Sequence, residues 1–246
     1  MKQHLSITKS RQQQISEEIS VKGFSIISGD AIQKDLLFFD IFSANNFIDS
    51  WNNLRLDNYM SDGGKYRYRR YSVFKYESES RQLIEKPFEP HFQEKSVNKL
   101  NGGRNRYFEP IENETKGNSV FINLMKFCIS ILADIKIPTS WHIEAHQFRI
   151  IANPSMCGFP TPEGIHRDGV NYVFMMLIGK ENIIGGESHI YDNKKNLLFS
   201  YMLSNPLDCI LLDDLKLMHG VSPIKSLAST KESYRDTLVL TFTELA

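Results

Sequence analysis

Trp141-His142-Ile143-Glu144-Ala145-His146-Gln147-Phe148-Arg149-Ile150-Ile151 begins the stretch of chain that decides the fold. Apolar and polar residues alternate through its first half, and a β-strand is the structure that sends successive side chains to opposite faces. Further β-rich runs follow at Val170 to Ile178, Ser188 to Tyr191, Leu197 to Tyr201, Cys209 to Leu212 and Thr237 to Thr243, punctuated by the turn formers Asp192-Asn193 and Asn205-Pro206. Several short strands separated by turn signals predict an antiparallel barrel or sandwich.

Upstream the pattern differs. Ile15, Ile19 and Val21 recur at near-helical spacing between Ser10 and Lys22, and Gly23 stops that helix before a short apolar strand, Phe24 to Ile27. A second helix is predicted over Ala31 to Asn45. Asp62-Gly63-Gly64 marks a turn, and Lys65 to Tyr76 then alternates basic and aromatic residues as a strand does. The segment from Ser78 to Asn118, with its own turn at Asn101-Gly102-Gly103, reads as loop-rich, whereas Val120 to Ile135 has the apolar spacing of a helix packed on a sheet. No internal repeat or linker interrupts the 246 residues, so the expected organisation is one domain over 1–246, with a helical flank at 1–60 and a β-rich core at 61–243.

Composition narrows the class of partner. Lys plus Arg and Asp plus Glu are equal at 29 each, which gives no electrostatic reason to expect nucleic acid or a charged membrane surface. The start, Met1-Lys2-Gln3-His4-Leu5-Ser6, lacks the apolar core of a signal peptide, and no apolar run reaches membrane-spanning length, so a cytoplasmic protein is expected. Cys128, Cys157 and Cys209 are too few and too widely spaced for a disulfide framework or a thiolate metal site. Oligomeric state is not legible in the chain.

The chemistry-bearing residues lie in the β-rich part. His166 and Asp168 are two positions apart, so an extended backbone turns both to one face, and His219 follows further along. Two imidazoles and one carboxylate form the ligand set that suits non-haem Fe(II) with positions left open. Arg235 opens the strand-like run Arg235-Asp236-Thr237-Leu238-Val239-Leu240-Thr241-Phe242, and a guanidinium is a planar fork for the far carboxylate of a chelating keto diacid. His142, Glu144 and His146 share a face of their strand, as a second metal set or, more commonly, a polar strip on a half-exposed strand.

With these residues in view the sequence resembles the bacterial Fe(II)/2-oxoglutarate dioxygenases that include hydroxylases of free L-amino acids such as L-isoleucine dioxygenase. The resemblance runs through Ile165-His166-Arg167-Asp168, Ile184-Gly185-Gly186-Glu187, Met218-His219-Gly220-Val221-Ser222-Pro223 and Arg235-Asp236-Thr237-Leu238. Weaker likeness extends to Arg67-x-Arg69-x-Tyr71-Ser72, Gly102-Gly103-x-x-Arg106-x-Phe108 and His146-Gln147-x-Arg149, so that it spans residues 60 to 243.

The resemblance implies a double-stranded β-helix (jelly-roll, cupin-like) with bracing helices, and Fe(II), 2-oxoglutarate and O2 as cofactors. It implies His166, Asp168 and His219 as catalytic metal ligands and Arg235 as the anchor of 2-oxoglutarate. It also suggests that the face carrying Gln147 and Arg149 looks into the cavity to hold 2-oxoglutarate or substrate. Arg67, Arg69, Tyr71 and Arg106 are candidates for a substrate carboxylate and Glu187 for its ammonium group, against the plainer reading of a solvated cationic strand edge. The implied reaction is hydroxylation of a free amino acid or related small molecule with release of succinate and CO2. The alternatives are a cupin-like divalent-metal hydrolase or isomerase, and a non-catalytic 2-oxoglutarate or metal sensor.

Overall fold

Alternation within the strands explains how the sheet obtains two usable faces. The computed structural model describes residues 10–35, 41–136 and 139–245. Four helices and four strands come first: α1 (Arg11–Lys22), β1 (Phe24–Ile27), α2 (Gly29–Asp35), α3 (Ile41–Asp49), β2 (Arg55–Leu56), β3 (Arg67–Glu77), β4 (Gln82–Glu85) and the short α4 (Asn113–Lys116). The helix α5 (Ser119–Ile135) and the strand β5 (Trp141–Ala152) follow. The rest is β: β6 (Tyr172–Glu181), β7 (Ile183–Gly185), β8 (Ser188–Tyr191), β9 (Leu197–Tyr201), β10 (Cys209–Asp213), β11 (Met218–Val221), β12 (Ile224–Ser226) and β13 (Ser233–Glu244).

The main antiparallel sheet runs β1-β10-β6-β13-β5-β3-β2, with β4 added to β3. On one face Phe74, Ile143, Ala145, Phe174, Met176, Leu238, Leu240 and Phe242 pack against Phe121, Leu124, Cys128 and Leu132 of α5 and Ile15 and Ile19 of α1. Each large apolar side chain buried there contributes about 1.5–3 kcal/mol. The other face turns towards a second layer made of the small sheets β11-β8-β9 and β12-β7, closed by the bridges His166 to His219 and Gly158 to Ile224. Val173, Met175, Leu177, Ile210 and Leu212 meet Ile190, Leu203 and Leu217 between the layers. Two facing antiparallel layers with helices on one side are the expected double-stranded β-helix.

Ser10 and Gln13 form a capping box on α1, and Gly23 ends that helix at φ +85°, the left-handed conformation that glycine tolerates best. The predicted helix over 31–45 is two helices, α2 and α3, on either side of 36–40, which lie outside the described residues, as does the amino terminus at 1–9. The amino-terminal flank is not only helical in its contribution, since β1 pairs along β10 and completes the sheet edge. The loop-rich segment also carries β4 and α4, too short for periodicity to reveal. Among the described residues no helix is long and apolar enough to cross a membrane.

Candidate active site

The inner face of the main sheet carries the polar residues. Arg67 and Arg69 of β3, Glu144 and His146 of β5, and Arg235, Thr237 and Thr241 of β13 line one cavity, each at alternate positions of its strand. His166, Asp168 and His219 close the same cavity from the second layer. His166 and His219 are fixed by two reciprocal backbone hydrogen bonds of 2.9 Å. The Nε2 atoms of the two imidazoles lie 3.7 and 3.5 Å from the Asp168 carboxylate oxygens.

Tautomers decide what this trio can do. His166 Nδ1 lies 2.9 Å from the Gly164 carbonyl, which only accepts, so Nδ1 carries a proton and Nε2 faces Asp168. Burial lowers the pKa of that imidazole, yet Glu163 and Asp168 outweigh burial and raise it, so the spot favours positive charge. His219 turns Nδ1 towards Asp214, 3.8 Å away. Asp214 accepts from the amides of Asp168, Gly169 and Val170 at 2.8–3.2 Å and so holds the loop that presents Asp168. A cation between the three donors would satisfy all of them.

Arg235 is buried, and among the described residues its guanidinium makes no hydrogen bond and no ion pair. Its neighbour Asp236 leaves the opposite face of β13 and binds Arg149 instead. Gly186 lies against Arg235 at φ +79°, where a Cβ would come within 3.2 Å of the arginine stem. Burial pushes the Arg235 pKa down to about 10, so it remains a cation at neutral pH.

Arg67 and Arg69 share one carboxylate, Asp57. Arg67 donates from Nε to Asp57 at 2.8 Å, and Arg69 lies 3.7 Å from the same carboxylate. Arg69 also stacks on Phe108 at 3.6 Å. Burial alone would raise the Asp57 pKa, but Arg67 and then Arg69 outweigh it and hold it below its ordinary value. A depressed folded-state pKa adds stability above the unfolded value and loses it as pH falls through the folded one, so this contribution should fade below about pH 4. Asp57→Ala should cost about 3–5 kcal/mol at neutral pH in urea unfolding, because two buried guanidinia lose their carboxylate.

The model of the 2OG-Fe dioxygenase family matches residues 48–241. The chain belongs to the 2OG-Fe dioxygenase family. Fe(II), 2-oxoglutarate and O2 are therefore its cofactors. The L-isoleucine-4-hydroxylase of Bacillus thuringiensis is 28% identical over 183 residues, covering 73% of this chain and 75% of that one. The 3(1)-hydroxy-L-isoleucine 4-dioxygenase of Pantoea ananatis is 26% identical over 235 residues, covering 91% and 93%. The crystal structure of a bsmA homolog from Methylobium petroleophilum superposes with TM-score 0.87 at 31% identity, covering 96% of this chain and 94% of that one.

A second donor cluster in this dioxygenase, His91, Glu144 and His146, has ligand atoms within 4.8 Å of one another. Hydrogen bonding argues against a metal there. Arg69 approaches His146 Nδ1 at 2.6 Å, and a guanidinium can only donate, so the proton of this imidazole sits on Nε2 and blocks it as a ligand. Tyr71 donates to Glu144 at 2.7 Å, and His91 Nδ1 lies 3.1 Å from the same carboxylate. The cluster is a network of hydrogen bonds completed by a 3.6 Å contact between His146 Nε2 and Glu144. Burial pushes the pKa of His146 down to about 3, which keeps it neutral.

Several expected placements are corrected. The cavity face of β5 is that of Glu144 and His146, not that of Gln147 and Arg149; Gln147 donates to Ser50 at 2.8 Å and Arg149 pairs with Asp236 on the helix side. His146 is consequently buried rather than part of a half-exposed strip, and His142 stands apart from it, near Glu89. Glu187 lies outside the cavity and contacts His189 at 2.9 Å. Tyr71 is spent on Glu144, whereas Arg106 does line the cavity. Sequence reasoning passed over Asp57, His91, Gln93, Glu163 and Asp214, all from loops without periodicity. Only Glu163, three residues before His166, carried a positional hint.

Proposed function

We propose that this dioxygenase hydroxylates a free L-amino acid or closely related small molecule, converting R–H, 2-oxoglutarate and O2 into R–OH, succinate and CO2. His166, Asp168 and His219 are the proposed catalytic metal ligands, and Arg235 the proposed anchor for the far carboxylate of 2-oxoglutarate. One observation carries this reading: the metal-ready trio shares its cavity with a buried guanidinium that has no hydrogen-bond or ion-pair partner among the described residues. Bound Fe(II) supplies the oxidising step that activates O2 at the expense of 2-oxoglutarate. The chain's own residues bind and orient. Asp214 and the Gly164 carbonyl aim the ligands. Arg235 fixes the cosubstrate, and Val170, Met175 and Val239 give the same cavity an apolar wall.

The amino-acid reading is supported by the names of the Bacillus and Pantoea relatives, which refer to isoleucine and hydroxy-isoleucine. Three free cysteines fit a cytoplasmic enzyme. Family membership sets aside the hydrolase and isomerase alternative; a non-catalytic sensor would bind 2-oxoglutarate without turnover. Anaerobic Fe(II) and 2-oxoglutarate should give a metal-to-ligand charge-transfer band. Admission of O2 with a panel of free L-amino acids should then give a product heavier by one oxygen and an equal amount of succinate, read by mass spectrometry. Absence of the band would sink the metal assignment, and a band without any oxidised product would favour the sensor.

A further inference from the structure

The charges around the cavity match one against another, with two left over. Asp57 serves Arg67 and Arg69. Glu144 accepts from Tyr71 and lies against His91, and His146 links it to Arg69. Asp168 belongs with the two imidazoles, and Arg235 is assigned to the cosubstrate. Arg106 and Glu163 remain.

Arg106 is 2% exposed, and its guanidinium has one hydrogen bond, to the Gln93 amide oxygen at 2.8 Å. Its Nε has no partner, and among the described residues it makes no ion pair. Oε2 of Glu163 is likewise buried with no partner. The other oxygen, Oε1, lies 3.3 Å from His166 Nε2, the nitrogen that faces the proposed metal site, so a bound cation takes that partner away. Burying a polar atom of a charged group without a partner is costly, and a cavity that leaves a guanidinium nitrogen and a carboxylate oxygen orphaned is shaped for something that supplies both partners. The two groups line the same cavity but do not touch each other.

We propose that Arg106 and Glu163 hold the two ends of an α-amino acid, the guanidinium taking the α-carboxylate and the Glu163 carboxylate taking the α-ammonium. This rests on the amino-acid reading above and assigns its selectivity: the free zwitterion is accepted, and N-acylated, esterified or peptide-bound forms are refused. A simple carboxylic acid would satisfy Arg106 and leave Glu163 unmatched; a simple amine would do the reverse. Gln93 fixes the carboxylate end relative to the metal, since the amide that accepts from Arg106 also donates to the Asp168 backbone oxygen at 3.3 Å. The side chain of the amino acid is then left to point at the oxidising centre.

The test is calorimetric titration of the anaerobic Fe(II)/2-oxoglutarate complex with the free proteinogenic L-amino acids, and with the N-acetyl derivative and methyl ester of each one that binds. Blocking either end should weaken binding by roughly 30-fold or more, as loss of one partner of a buried charge pair does. Glu163→Gln and Arg106→Gln should each weaken the free amino acid by a similar factor, while 2-oxoglutarate affinity, read from the charge-transfer band, stays within about two-fold. In Glu163→Gln the preference for the free over the N-acetyl form should collapse, a change that a merely loosened site would not produce. Equal binding of blocked and free forms overturns the proposal, as do variants without effect. In both of these cases the amino-acid reading stands, whereas 2-oxoglutarate binding with no free amino acid bound would overturn that reading, on which this proposal rests, and leave the oxygenase assignment in place. Failure of the wild-type protein to bind 2-oxoglutarate would instead overturn the assignment on which this one rests.

Discussion

His219→Ala should give a folded protein that has lost Fe(II) binding by more than about 100-fold, and with it all succinate formation. The backbone around His219 does not depend on the imidazole. β11 pairs with β8 through main-chain bonds, and His219 exchanges both of its backbone bonds with His166. What disappears is one donor of three, and the remaining imidazole and carboxylate would be too few to hold the metal. Anaerobic titration with Fe(II) measures the loss, and far-ultraviolet circular dichroism checks the fold. His146→Ala is the matching control. It should retain one equivalent of Fe(II), because the proton on its Nε2 and the Arg69 contact keep that imidazole out of metal binding. Equal loss in both variants would mean that the two clusters share the metal and that the tautomer argument is wrong.

The difference between the two clusters marks how far the sequence could be read. His-x-Asp was legible because an extended backbone makes i and i+2 neighbours, and Ser188–Tyr191 and Leu197–Tyr201 emerged with their predicted bounds because short β-rich runs between turn formers leave little choice. Which face of β5 looks inward was not legible. Ile143 and Ala145 on one side and His146 and Phe148 on the other are both compatible with burial, and only the helices α1 and α5, docked on the first side, decide the matter. The same limit applies to charge. Arg67, Arg69 and Arg106 look alike along the chain, yet Asp57, ten residues before Arg67, lies against the first two and makes no ion pair with the third. A distant loop carboxylate has no signature that ties it to a strand arginine before the fold brings them together.

Arg235→Ala should weaken 2-oxoglutarate binding by roughly 100-fold or more while leaving the unliganded protein no less stable. The two halves of this expectation have one cause. A buried guanidinium without a partner is a cost to the free protein, visible in the fall of its pKa to about 10. Removing it relieves that cost, in contrast to Asp57→Ala, which creates such a cost twice over. When a dicarboxylate binds, the guanidinium gains its partner, so its contribution exists only in the complex. Thermal unfolding separates the two: the melting temperature of the metal-loaded variant should match or exceed that of the wild type, and the upward shift that 2-oxoglutarate produces should vanish. Arg235→Lys should fall between, since it keeps the charge and loses the bidentate fork. Gly186→Ala should act in the same direction from the other side of the pocket. Its new methyl would press on the Arg235 stem at 3.2 Å from a backbone at φ +79°, moving the fork without removing it. If Arg235→Ala destabilised the unliganded protein instead, the guanidinium would have a structural partner, and the cosubstrate would have to be anchored elsewhere in the cavity.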